Sequence, residues 1–180
     1  MYFTTGGSDN TAQTVELAIK IARERNIKQI VVASNTGKTA KLFKNVPEIQ
    51  VVCVSHVNGM KQNGQNELSE EERTDLINSG IRVLTTTHVL SGAERGISRK
   101  FGGINPVEII AHTLRMLGAG VKVGVEIAVM ALDAGLIPYG EPIIAVGGTG
   151  KGADTAIIIT PAHASSIFDT RIHEIICKPL

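Results

Sequence analysis

The chain has 180 residues, 43% of them apolar and 19% charged, with a formal charge of +1. That is the size and composition of one globular domain, and a near-neutral surface with no basic stripe between aromatics argues against a nucleic-acid partner. With four Phe, two Tyr and no Trp, the core has to be aliphatic.

Cys53 and Cys177 sit inside apolar stretches and form no CxxC pair, so both read as buried, reduced thiols. Met1 to Gly7 carries neither a basic flank nor an apolar core, unlike a signal peptide. The most apolar stretch, Val121 to Leu132, is interrupted by Lys122 and Glu126 and is too short to span a bilayer. The expectation is a cytoplasmic protein with no membrane partner.

In chain order, Val15, Ala18, Ile19 and Ala22 predict an amphipathic helix over about Asn10 to Arg25. Ile27 to Ala33 follows as a β-branched strand. Thr36 or Gly37 opens a short helix to about Lys44, and Ile49 to Val54 is the second strand. Ser69 with Glu72 three residues on makes a capping box, and Gly80 sits at the C′ position, so Ser69 to Ser79 reads as a helix. Ile81 to Thr85 is the third strand. Asn105-Pro106, with Glu108 at N3, starts a helix that stops near Gly118. Val121 to Ala134 is a helix apolar nearly all round, read as buried with room for a subunit contact. Pro142 to Val146, Thr155 to Thr160 and His173 to Cys177 are strands.

This order predicts an α/β fold, a three-layer α/β/α sandwich around a mostly parallel sheet. Only a glycine loop separates the strand Pro142 to Val146 from Thr155 to Thr160, too short for a parallel crossover. The later strand is therefore antiparallel, near the C-terminus.

In such a sheet ligands collect beyond the carboxyl ends of the parallel strands. Ser34, Asn35, Thr36, Gly37, Lys38 and Thr39 follow the first strand, and Ser55 and His56 the second. Thr86, Thr87 and His88 follow the third, and Gly147, Gly148, Thr149 and the run to Asp154 the fourth. Gly6, Gly7 and Ser8 reach the same edge. The turn Ser34 to Thr39 offers backbone N–H groups, hydroxyls and the Lys38 charge, the chemistry of a phosphate cradle. The plainer alternative is a capped helix start.

Two motif matches fail on inspection. Gly37-Lys38-Thr39 ends like a Walker A loop, but that pattern needs glycine where Val32 stands. Gly148 to Ala153 fits G-x-G-x-x-A, yet it opens a strand and not a helix.

His56 and His88, at adjacent strand ends, are the candidates for acid–base or phosphate-binding roles. His112, His163 and His173 read as structural. No metal-ligand spacing occurs. Val89 to Gly103 is glycine-punctuated and basic, and Arg95, Arg99 and Lys100 are placed to close on a phosphate or to reach a neighbouring subunit, against a solvated connection as the alternative. His56 to Leu68 is a second, less charged lid candidate.

The run Ala33 to Ala40 resembles the effector-phosphate loop in the carboxyl-terminal domain of pyruvate kinase, with Ser34, Thr36, Gly37 and Thr39 on the matching positions. Gly152-Ala153-Asp154-Thr155 resembles the run before that domain's final strand. No catalytic barrel precedes it, so pyruvate kinase activity is not implied. Ser91-Gly92-Ala93, Arg95-Gly96-Ile97-Ser98 and Glu126-Ile127-Ala128 are similar to segments of stand-alone pyruvate kinase C-terminal-domain-like proteins, over nearly the full length.

That resemblance implies one such domain over residues 1–180, a homo-oligomer, and a flavin mononucleotide (FMN) in the site, its phosphate on Ser34 to Thr39 and its ring towards His88 and Gly147 to Thr149. Three readings stand: a phosphorylated-ligand protein, with FMN as the ligand; an enzyme acting on a phosphorylated metabolite through His56 or His88; and an effector-sensing domain without catalysis.

Overall fold

A computed structural model describes residues 1–180. Seven strands make one sheet: β1 Tyr2–Phe3, β2 Gln29–Ala33, β3 Gln50–Val54, β4 Arg82–Leu84, β5 Ile143–Gly147, β6 Thr155–Thr160 and β7 Arg171–Pro179. Six helices accompany them: α1 Thr11–Glu24, α2 Lys38–Lys41, α3 Glu70–Asn78, α4 Gly92–Phe101, α5 Pro106–Arg115 and α6 Ala119–Asp133. The strand order is β1-β7-β6-β5-β2-β3-β4, and β6 alone runs against the rest. The mostly parallel sheet with an antiparallel strand near its C-terminal end is therefore as the loop lengths predict.

The helices form where apolar spacing and stop signals agree. α1 buries Val15, Ala18 and Ala22 at helical spacing. It ends as Asn26 turns to φ 55° and Ile27 N–H donates to the Ala22 carbonyl at 2.8 Å. α3 and α6 stop in the same way, through Gly80 with Ile81 N–H on Leu76 O, and Gly135 with Leu136 N–H on Ala131 O. At the start of α3 the Ser69 hydroxyl accepts from Glu72 N–H. At α5 both halves of the Asn105/Glu108 capping box are present.

Two aliphatic cores lie on opposite faces of the sheet. One packs α1, α2 and α3 through Val15, Ala18, Ala40 and Leu76, with Phe43 and Leu68 from the adjoining turns, against Ile30, Val32, Cys53 and Ile144. The other packs α6 through Val121, Val125, Ala128 and Ala131 against Val31, Val52, Ala145 and Ile157.

Several boundaries differ from the sequence reading. α2 has only four helical residues before turns carry the chain on. β1, too short to show a period, was not expected, and β7 runs two residues beyond His173 to Cys177 at each end. Val89 to Gly103 contains a ten-residue helix, α4, whose glycines had argued for a loop. α6 is apolar all round because the sheet covers one side and α5 another, so it is not the free surface for a subunit contact that its composition suggested. No helix is long and apolar enough to cross a membrane.

Candidate functional site

Register levels the carboxyl ends of the central strands: Ala33 pairs with Val54, and Val54 with Leu84. The chain leaves β2 for α2 on one face, whereas β4 is followed by α4, α5 and α6 on the other before β5 returns beside β2. The strand order thus reverses between β2 and β5, the kind of point where α/β sheets open a crevice.

The loop after β2 is held from beneath. Ser34 is buried, and its Oγ accepts from Thr39 N–H at 3.1 Å and from Ala40 N–H at 3.2 Å. Its own N–H donates to the Val54 carbonyl. The N–H groups of Asn35, Thr36, Gly37 and Lys38 make no well-formed hydrogen bond within the protein. Gly37 sits at φ 81°, and a Cβ there would lie 3.0 Å from Leu68 Cδ1, so the turn requires glycine. Thr36 and Lys38 are exposed, while Thr39 is buried. Ser34 and Thr39 thus shape the cradle, and Asn35 to Lys38 present it.

The loop after β5 is closed on itself. Asp154 has no exposed surface, and its Oδ2 accepts from Gly7 N–H at 2.8 Å and Thr149 N–H at 3.0 Å. Its Oδ1 accepts from the Thr155 hydroxyl. One carboxylate ties the N-terminal turn, the glycine loop and β6 together, leaving Thr149 exposed above Gly147 and Gly148.

On the other side of β2, His56 Nδ1 lies 2.5 Å from Glu67 Oε2, and Glu67 also meets Lys61. Burial pushes the Glu67 carboxyl up, but the hydrogen bonds from Lys61 and His56 outweigh it and leave it below the ordinary carboxylate range. The His56 and His88 rings are 5.5 Å apart, and Val57 N–H points at His88 Nε2. Burial, opposed by Glu126 and helped by His56, Lys122 and Arg95, lowers the His88 pKa. Lys122 and Glu126 form a buried pair at 2.5 Å, and Glu126 Oε1 accepts from Leu90 N–H at 3.0 Å. Below them Leu84, Thr86, Thr87, Val89, Met130, Asp133 and Ala134 line a cleft of about 370 Å³.

The structure brings Ser34 to Thr39, His56, Thr87 and His88 along β2, β3 and β4. It sets Gly147, Gly148 and Thr149 on the opposite side, over β5. Three strand spacings, about 14 Å, separate the β5 loop from the residues after β4. Arg95 lies on α4, near enough for its charge to act on His88 and Lys122. His163 pairs with Asp133, one of the residues lining that cleft, and stacks on Tyr139, while His173 bonds to Thr160. Cys53 is inert, its thiol pushed up to about 12 by burial. No group of His, Cys, Asp or Glu is arranged to hold a metal ion. Glu67, Lys122 and Glu126 were missed as site residues. An i, i+4 charge pair inside an otherwise apolar helix is the signal that marks the last two.

The family model for the pyruvate kinase alpha/beta domain matches residues 12–159. The chain belongs to that family. Similar solved structures include pyruvate kinase from Cryptosporidium parvum, at 18% identity over 84% of this chain and 23% of that one, with a TM-score of 0.43. The same enzyme in complex with ADP matches at 16% identity over 82% of this chain and 22% of that one, also at 0.43. The chain spans less than a quarter of either structure.

Proposed function

We propose that this family member binds a phosphorylated small molecule, with its phosphate on the backbone N–H groups of Asn35 to Lys38. The observation that carries the reading is that the amides of this turn make no well-formed hydrogen bond within the protein, beside the exposed Thr36 hydroxyl and Lys38 ammonium. A phosphate supplies the acceptors such a turn lacks.

FMN is the proposed ligand. The cradle fits its phosphate, and two strand spacings, about 10 Å, separate the end of β2 from the end of β4. Leu84, Val89 and Met130 give the cleft there apolar walls, its polar groups are Thr86, Thr87 and Asp133, and His88 stands next to Thr87 in the chain. FMN, when bound, supplies one- and two-electron chemistry. The residues around it would bind and orient: the amides hold the phosphate, and the half-buried His88, whose pKa burial lowers, offers a polar ring edge.

One observation favours a second reading, an enzyme acting on a phosphorylated metabolite. Glu67 fixes His56 through Nδ1, which leaves Nε2 as a base, the arrangement of an oriented acid–base imidazole.

The test is an absorbance spectrum of the purified protein, mass spectrometry of what heat releases, and titration with FMN. A flavin band, and an affinity that falls at least about tenfold in the Thr36→Ala, Lys38→Ala double variant, are expected. Unchanged affinity in that variant would remove the cradle. A colourless protein that ignores FMN but turns over a phosphorylated metabolite, with loss in His56→Gln, would establish the second reading.

A further inference from the structure

The segment between His56 and Glu67 carries two Asn-Gly pairs, Asn58-Gly59 and Asn63-Gly64, and no other asparagine of the chain precedes a glycine. In such a pair the backbone nitrogen of the glycine can attack the asparagine side-chain carbonyl carbon, because glycine has no side chain to shield that nitrogen. The attack needs a side chain free to turn back on the main chain and an amide nitrogen that nothing else holds.

The fold treats the two pairs differently. Asn58 Oδ1 accepts from Asn66 Nδ2 at 2.8 Å. The Asn66 amide is itself fixed, since Nδ2 also donates to the His56 carbonyl and Oδ1 accepts from Leu68 N–H. The Gly59 N–H, the attacking group of that pair, donates to the Gln65 carbonyl at 2.8 Å. Asn63 and Gly64 are both exposed, and neither the Asn63 side chain nor the Gly64 N–H makes a well-formed hydrogen bond within the protein. A Cβ on Gly64 would meet nothing within 4 Å, so the space around its nitrogen is open.

We propose that Asn63 is a site of spontaneous deamidation in the folded protein, and that the fold protects Asn58 from the same reaction. The Gly64 nitrogen bonds to Asn63 Cγ and gives its proton to water, and the side-chain nitrogen leaves as ammonia. Water then opens the resulting succinimide at either carbonyl, leaving aspartate or isoaspartate at position 63. Either product is about 1 Da heavier than the parent chain. The new carboxylate cancels the formal charge of +1. It also enters the segment whose one ammonium, Lys61, holds Glu67 beside the His56 ring. The aged chain is thus altered where that histidine is oriented.

Peptide mapping by mass spectrometry, during incubation of the full chain at neutral pH with and without denaturing urea, tests this. In urea both pairs are open and should react at similar rates. In the folded protein Asn63 should react at least about tenfold faster than Asn58, whose two hydrogen bonds have to open first. Isoelectric focusing should show an acidic band that grows with time, and Asn63→Gln should remove most of it. Equal rates at the two positions in the folded protein, or a faster Asn58, overturn the proposal. So does a folded protein that reacts at neither position while the sample in urea reacts at both.

Discussion

Single residues at this sheet edge divide into those that present a surface and those that shape it. Ser34 and Asp154 have the composition of ligand donors, yet Ser34 accepts from backbone N–H groups of its own turn and Asp154 from Thr149 N–H, from Gly7 N–H of the N-terminal turn and from the Thr155 hydroxyl. Hydrogen bonding explains this: a buried oxygen is stabilised by nearby amides, and the turn that supplies them is thereby fixed. His88 differs, since its burial acts on its charge. Its folded-state pKa lies below the ordinary histidine value, so the folded protein refuses a proton that the unfolded chain accepts. His88 therefore costs nothing above about pH 6.5, and stability falls as the pH drops through that value towards the folded pKa. Urea midpoints measured at roughly pH 7.5 and pH 5.5 should fall more for the wild type than for His88→Gln, which keeps an acceptor for Val57 N–H. Equal falls would show that other groups carry the acid sensitivity.

At the scale of elements, stop signals and caps were legible because they act over a few residues. Ser69, Gly80, Asn105 and Pro106 mark the helix ends that the sequence predicts. The α4 helix was not legible. Gly92 and Gly96 weigh against it locally, and the polar links from Glu94 and Ser98 that hold it involve Asn105, Val107 and Glu108 beyond the turn. The Lys122–Glu126 pair was legible as spacing, while its partner Leu90 lies 36 residues away in sequence and could not be read. This pair clamps the turn after β4 onto α6 in a buried setting, so removing one charge strands the other. Lys122→Met and Glu126→Gln are each expected to cost about 3 kcal/mol in urea denaturation. The double variant, with Gln still accepting from Leu90 N–H, should cost much less than the sum of the two. Additive losses would show that the charges do not act as a pair.

The whole molecule joins its two cores only through the sheet, and every strand at the centre is covered on both faces. β2, β5 and β6 are each paired on both sides and almost wholly buried, whereas β4 has three residues and one neighbour. Loop lengths revealed the reversal at β6, but they carried no information about β1, whose place beside β7 depends on chain segments at opposite ends of the sequence. This architecture sets an order of opening. Local unfolding of β4 and the α4–α5 hairpin breaks few buried contacts, while opening β2 or β5 exposes both cores at once. Native-state amide exchange should therefore find the amides of β2, β5 and β6 opening only with global unfolding, and those of β4, α4 and α5 opening at much lower free energy. The proposed ligand spans this gradient, anchored by phosphate on the stable end of β2 with its ring at the loose end of β4. Saturating FMN should slow exchange most after β4, at Thr86 to Leu90, and leave the amides of β5 and β6 unchanged. Slowing confined to the glycine loop Gly147 to Ala153 would instead place the ring over β5.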